Sequence, residues 1–398
     1  MPEETTNQFS ESEVEEWFDD EDEPSEEAPV PATDPATKYA KSQLRVVRET
    51  KEYQLDYLKY ALEVERGLID TTPTYQRRLR WNQKKRSLLI ESFLLNIPIP
   101  PIFLFEHDYN EYEVIDGRQR LETIKSFLAN NFALTGLKYW PELNRKRFND
   151  LPNVLQKGLL RRSLSAVVLL AETSNAADDD LDVRTVLFDR LNTGGVGLNP
   201  QELRNALYSG PLNATLIKIA RSMPFTAIWG IPPYTEGEED QPSTELLANI
   251  LFQTMADVEL VLRFFAIRDA LAKDQKGSLR RILDNFMKDN TKQSQSVLDE
   301  YKVEYQSLIG KLNKLWEGRP FRIPDIARPS RPLYDALMIA LSRKPELDLE
   351  ADAQGIKSRM AEALGKRSDY DILVGRGNSI STIKQRVDLA SKILQGEG

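Results

Sequence analysis

The 398-residue chain contains no cysteine and a single histidine, His107. Without cysteine there are no disulfides, zinc–thiolate sites or thiol nucleophiles. With one histidine, an HExxH metal motif lacks its second ligand, and a Ser-His-Asp triad would have to rest on His107 alone. His107 itself falls in "FEHDYNEY", which reads as a hairpin loop between strands. No apolar run approaches the roughly 18 residues of a membrane span. The N-terminus has neither the basic nor the apolar region of a secretory signal. Together these absences favour a cytoplasmic protein with no membrane partner.

Basic residues are missing from one region only. Residues 1 to 37 hold 14 of the 62 acidic residues and no Lys or Arg. The formal net charge is −9, yet the rest of the chain carries 53 basic residues against 48 acidic ones, a net +5. The acidic balance hides a mildly basic body. Rich in Glu, Asp, Pro, Ser and Thr, residues 1 to 37 read as a disordered acidic tail. One stretch, "SEVEEWFDDEDE", sets Val14, Trp17 and Phe18 among carboxylates. It reads either as a segment that docks on something basic and partly apolar, or as a solvating tail with incidental aromatics. In the first case the tail would mimic phosphate or DNA and screen the basic cluster "QRRLRWNQKKR".

Hydrophobic spacing supplies the elements. "QLDYLKYALEVER" places Leu55, Leu58, Ala61 and Leu62 on one helical face, ended by Gly67. Asn82 is an N-cap for "QKKRSLLIESFLL", with Leu88, Leu89, Phe93 and Leu94 expected inside. After the proline punctuation of "NIPIPPIFLFE", short strands are expected at 102–105 and 112–115, then a helix from about 117 to 129. Two helical stretches near 152–162 precede "SLSAVVLLAE", a buried strand by its continuous β-branched character. Asn199, Pro200 and Glu202 form a strong helix start. Beyond 211 no strand is expected, and helical patterns recur at 244–273, 277–289, 294–316, 332–343, 350–364 and 380–395. The expected division is a tail (1–37), an α/β domain (38–208) and a mostly α-helical domain (209–398).

The segment "YEVIDGRQRLETIKSFL" concentrates the chemistry. Arg118 and Arg120 sit in the first turn of the expected helix, where the positive end of the helix dipole disfavours cations. One account is an ordinary capping box, Asp116 at N-cap with Gln119 at N3. It leaves Gly117 and both arginines unexplained. The other account is an anion site, with backbone N–H groups of a glycine turn and helix N-terminus aimed at phosphate and guanidinium forks gripping it. "YQRRLRWNQKKR", with Arg77, Tyr75 and Trp81, is a second phosphate- or base-binding candidate beside the plainer reading of a solvated charge run. "FDRLNTGGVGLNPQEL" adds Arg190, Asn192 and a Gly194-Gly195 turn.

In order and spacing, the motifs over residues 70–208 resemble the ParB/sulfiredoxin-like domain that opens the GmrSD-type restriction endonucleases. The resemblance implies a nucleoside-triphosphate site at the family's Asp-Gly-Gln-Gln-Arg motif, here Asp116-Gly117-Arg118-Gln119-Arg120, in which an Arg replaces the first Gln. It also implies Mg²⁺ as cofactor and a place in systems that restrict phage DNA. Asp116 and Gln119 would then be catalytic; Gly117, Arg118, Arg120, Arg77, Arg190 and Asn192 would hold nucleotide phosphates. The family's C-terminal HNH-type nuclease domain needs histidine, and none follows residue 107. Any cleavage of DNA is therefore expected to fall to a separate nuclease or defence subunit, or to the arginine-lined site itself. The leading expectation is an NTP-binding and NTP-hydrolysing subunit of a DNA-directed defence system. The alternatives are a ParB-like nucleotide-dependent DNA-binding or regulatory module without turnover, and a scaffold with a vestigial site.

Overall fold

The computed structural model describes residues 8–19, 48–63, 68–70, 81–170, 199–208, 210–239, 242–375 and 377–396. The chain divides into two compact units, Pro31–Leu198 and Asn199–Gly398 together with Met1–Val30. The boundary thus falls at 198/199, ten residues earlier than the sequence suggests.

The first unit is a mixed sheet with helices. Strand β1 (Arg48–Gln54) leads into helix α2 (Leu55–Ala61); β2 (Ile69–Asp70) and α3 (Gln83–Leu94) follow. Then come the hairpin β3 (Ile102–Asp108) and β4 (Glu111–Asp116), helix α4 (Arg118–Leu128), α5 (Asn153–Leu160) and β5 (Ser163–Leu169). The five-stranded order is β1-β5-β3-β4-β2. β1 pairs antiparallel with β5 and β3 antiparallel with β4, whereas β3–β5 and β2–β4 are parallel. β1 is an unforeseen edge strand. Its sequence, RETKEYQ, buries only Tyr53, so no alternation of apolar residues announces it.

Apolar spacing does set the helix faces. Leu55, Leu58, Ala61 and Leu62 are all buried, as are Leu121, Ile124, Phe127 and Leu128. Asn82 caps α3 by accepting from the Lys85 N–H at 2.9 Å. The expected inner face of α3 is partly wrong, because Leu88 is exposed while Ile90 and Glu91 are buried. Glu91 turns inward because its carboxylate accepts the backbone N–H groups of Lys138, Tyr139 and Trp140 at 3.2, 2.7 and 2.9 Å. That satisfies three donors of one loop with a single side chain. His107 lies inside β3 rather than in the hairpin turn, since β3 extends to Asp108. A register shift between Glu106 and Asp108 accommodates it.

The second unit is helical. It comprises α6 (Pro200–Leu207), α7 (Pro211–Ala220), α8 (Phe225–Trp229), α9 (Thr244–Ala248), α10 (Ile250–Gln253) and α11 (Ala256–Ala272). α12 (Leu279–Asn290), α13 (Gln295–Leu315), α14 (Arg331–Ser342), α15 (Ala353–Gly365), α16 (Arg367–Val374) and α17 (Ile380–Gln395) complete it. The 244–273 pattern is three helices, because Asn249 caps α10 through the Phe252 N–H and Met255 turns left-handed at φ 58°. α11 and α14 are buried on nearly every side and form the centre. Among the described residues no helix is long and apolar enough to cross a membrane.

The capping box forms as expected on α6. Asn199 accepts from the Glu202 N–H at 2.9 Å, and Glu202 accepts from the Asn199 N–H at 3.0 Å. Arg204 then pairs with Asp284 at 2.7 Å and Glu259 at 3.4 Å. These buried contacts bind α6 to the helical unit and move the boundary.

The acidic segment is not uniformly unstructured. Residues 11–19 form helix α1 (Glu11–Asp19), and Phe9, Val14, Trp17 and Phe18 are buried in the helical unit's core. Val14, Trp17 and Phe18 are the apolar residues that stand out in the sequence, and Phe9 joins them. Within the described residues Glu13 pairs with Arg328. Arg77, Arg78 and Arg80 lie outside the described residues.

Candidate functional site

Strand β4 buries Tyr112, Val114 and Ile115 and delivers Asp116 to the sheet edge facing α4. Gly117 follows at φ 96°, ψ 9° and is itself the N-cap of α4. A Cβ there would lie 2.2 Å from Ile102 Cγ2, so both the left-handed backbone and the packing against β3 demand glycine. The capping box expected of Asp116 and Gln119 does not form. The left-handed turn moves the cap one residue along and leaves Asp116 in the strand.

Both side chains find other partners. Asp116 Oδ2 accepts from the Arg120 guanidinium at 2.7 Å. Gln119 Oε1 lies 3.4 Å from the Trp81 backbone N–H, a long contact. Arg120 also donates to the carbonyl oxygens of Pro100 and Pro101, the latter at 3.2 Å. One arginine of the awkward pair thus ties strand, helix and proline run together. The other, Arg118, is buried. Their position at the positive helix end is offset by these local acceptors and by packing. Pro100 and Pro101 were read only as punctuation. The signal was present in "NIPIPP", because consecutive prolines present carbonyls and no N–H groups.

The structure brings Asp116, Gly117, Arg118, Gln119 and Arg120 together with Trp81, the last residue of the "YQRRLRW" motif. Arg77, Arg190 and Asn192 lie outside the described residues. Lys85 Nζ sits 5.0 Å over the Trp81 ring. Arg86 stacks on Phe132 at 4.1 Å, and burial lowers its pKa. On the same sheet Lys51 donates to the Tyr112 hydroxyl at 2.9 Å, a bond that raises the lysine's pKa.

The head of α4 sets the Arg120 guanidinium beside the helix N-terminus, where the Arg120 N–H donates to the Gly117 carbonyl at 3.0 Å. The first turn of α4 has N–H groups without intrahelical acceptors by virtue of helix geometry. Asp116 is one-third exposed and engages Arg120 through Oδ2. Among the described residues no group of three or more His, Asp or Glu side chains could hold a metal ion.

A family model matches part of the chain. Residues 58–209 match the GmrSD restriction endonuclease, N-terminal domain. The matched stretch takes in the Asp116–Arg120 segment and continues through α6, so this GmrSD-type domain crosses the boundary between the two units. Neither the curated proteins nor the solved structures gave a match.

Proposed function

We propose that the GmrSD-type domain binds a nucleoside triphosphate at the junction of β4 and α4, and hydrolyses it as part of a restriction-like defence system. The observation that carries this reading is Gly117. Its φ of 96° and its packing against Ile102 bar any side chain at the head of α4, which is what a close backbone approach to phosphate would require. The mixed sheet is in keeping with the ParB/sulfiredoxin-like expectation for such a domain.

The roles follow from the contacts. The α4 N-terminus would receive phosphate oxygens. Arg120 is oriented by Asp116 and two prolyl carbonyls, so its charge is fixed in place before ligand arrives. Arg118, being buried, would contribute field rather than a flexible grip. Gln119, next to Trp81, would position the attacking water or the base. Asp116 fits Mg²⁺ of the kind that arrives with a triphosphate and uses one or two protein carboxylates. Such an ion would neutralise phosphate charge. Arg77, Arg190 and Asn192 would close the site from the neighbouring motifs, and DNA or a separate nuclease subunit would receive the output.

The test is a screen of ribo- and deoxyribonucleoside triphosphates with Mg²⁺, reading thermal shift and phosphate release for wild type and Asp116→Asn. Wild type should be stabilised and turn over at least one triphosphate, and Asp116→Asn should lose turnover. Absence of any shift or release with every triphosphate would sink the proposal. A second reading, binding without turnover, is favoured by the Asp116–Arg120 pair, which engages the carboxylate. Thermal shift without phosphate release would establish it.

A further inference from the structure

Helix α1 has only nine residues, too few to be stable alone in water. It is nevertheless anchored with the chemistry of an interface. Trp17 packs edge-on against Trp229 at 6.2 Å and Phe9 at 5.2 Å, and Phe9 lies 6.0 Å from Trp229. The Arg331 guanidinium sits 5.3 Å over the Trp17 ring and donates to the Trp17 carbonyl at 2.8 Å. Arg328 lies 5.6 Å over Phe9 and pairs with Glu13. The opposite face of α1 exposes Glu11, Ser12, Glu15 and Glu16.

This arrangement has the anatomy of a helix in a groove, with aromatic anchors, arginine partners and an acidic outer face. Twenty-eight residues separate Asp19 from Arg48 in the sequence, enough for roughly 90 Å at full extension. The groove holds one unmet donor, because the buried Trp229 indole N–H has no acceptor within reach. A different occupant with a suitably placed oxygen would gain a hydrogen bond that α1 does not make.

We propose that the helical unit carries a docking groove for an acidic, aromatic amphipathic helix of a partner protein, and that α1 is its resident, displaceable occupant. Arg328 meets the carboxylate at the Glu13 position, Arg331 holds the ring and carbonyl of the Trp17 anchor, and Trp229 packs against both aromatic anchors. The tethered α1 competes at an effective concentration on the order of mM, so partner binding is gated by release of the segment.

The probe is a fluorescein-labelled peptide of residues 8–19, read by anisotropy against full-length chains. Trp17→Ala should bind it at least tenfold more tightly than wild type, whose groove is filled. Peptide carrying Glu13→Gln, or a Trp17→Ala chain that also carries Arg328→Glu, should reverse the gain. Circular dichroism checks that Trp17→Ala remains folded. A second measurement avoids that variant altogether: a full chain with a protease site inserted between residues 30 and 37 should exchange α1 for labelled peptide only after cutting. A folded Trp17→Ala chain that binds no better than wild type, or a cut chain that refuses exchange, overturns the proposal. Binding indifferent to the carboxylates overturns the stated partner chemistry.

Discussion

Arginine–carboxylate pairs recur in both units, in opposite settings. In the α/β unit, Arg120 meets Asp116 at a helix mouth, with side chains 12% and 33% exposed. In the helical unit, Arg263 meets Asp335 between α11 and α14 with both side chains fully buried. Arg386, equally buried, donates to the carbonyls of Ile372, Gly375 and Gly377, and burial pushes its pKa down to about 10. The Tyr334 hydroxyl beside this network donates to the Leu260 carbonyl at 2.8 Å and shares a 2.7 Å bond with Tyr305. Chemistry alone therefore does not mark a site. Solvent access does, because a ligand can compete only for the exposed pair.

The largest effect should come from breaking the buried pair. Asp335→Ala strands the Arg263 charge in a dry core and should cost about 3–5 kcal/mol of stability. Chemical denaturation measures it. The double variant Arg263→Met with Asp335→Leu should recover most of the loss, because desolvation of the pair offsets much of its attraction. If Asp335→Ala cost less than about 1 kcal/mol, the contrast between the two settings would collapse.

Gly117→Ala comes next. A left-handed non-glycine residue costs about 1–3 kcal/mol, and the overlap with Ile102 adds strain that β3 must absorb. The variant should melt lower and lose triphosphate-dependent stabilisation together. Retained stabilisation in a folded Gly117→Ala chain would remove the backbone approach from the proposed site.

Arg120→Ala should show which side of the comparison this residue belongs to. Loss of the Asp116 pair and the prolyl contacts should destabilise the free protein by roughly 1–2 kcal/mol, discounted for partial exposure. An arginine at an otherwise empty helix N-terminus would show the opposite sign, since its removal relieves the dipole. Arg120→Lys should restore part of the charge and little of the stability, because an ammonium cannot reproduce the forked contacts. Thermal unfolding without ligand, then with triphosphate, separates the structural share from the binding share.

How much of this was legible depended on whether a residue's neighbours were close in sequence. The caps at Asn82 and Asn199, and the faces of α2 and α4, are local and could be read directly. Glu91 could not, because its three donors lie some 47 to 49 residues away. β1 was invisible because an exposed edge strand needs no apolar alternation; in α1 the docking residues Val14, Trp17 and Phe18 stood out, but the surrounding acidic composition masked the helix. At the candidate site, an Asp116 cap was one of two readings of the sequence, and the structure moves the cap to Gly117. A left-handed glycine after a strand looks the same in sequence as an ordinary Asp cap. Arg120's acceptors, Pro100 and Pro101, depend on the pairing of β3 with β4, which spacing alone does not reveal.

The smallest expected effect sharpens the comparison most finely, at Asn82. Its side chain caps α3 through the Lys85 N–H, and Asn82→Ala should cost about 1 kcal/mol, as is usual for a lost N-cap. Asn82 also adjoins Trp81, whose N–H faces Gln119 at 3.4 Å. If the cap fixes Trp81 against α4, then Asn82→Ala will loosen the junction and weaken triphosphate binding a few-fold, beyond its effect on melting. If the contact is incidental, binding will follow stability alone. Titrating Asn82→Ala and Gln119→Ala singly and together distinguishes the cases, since coupled residues give non-additive losses. Strict additivity would confine the nucleotide site to β4 and α4.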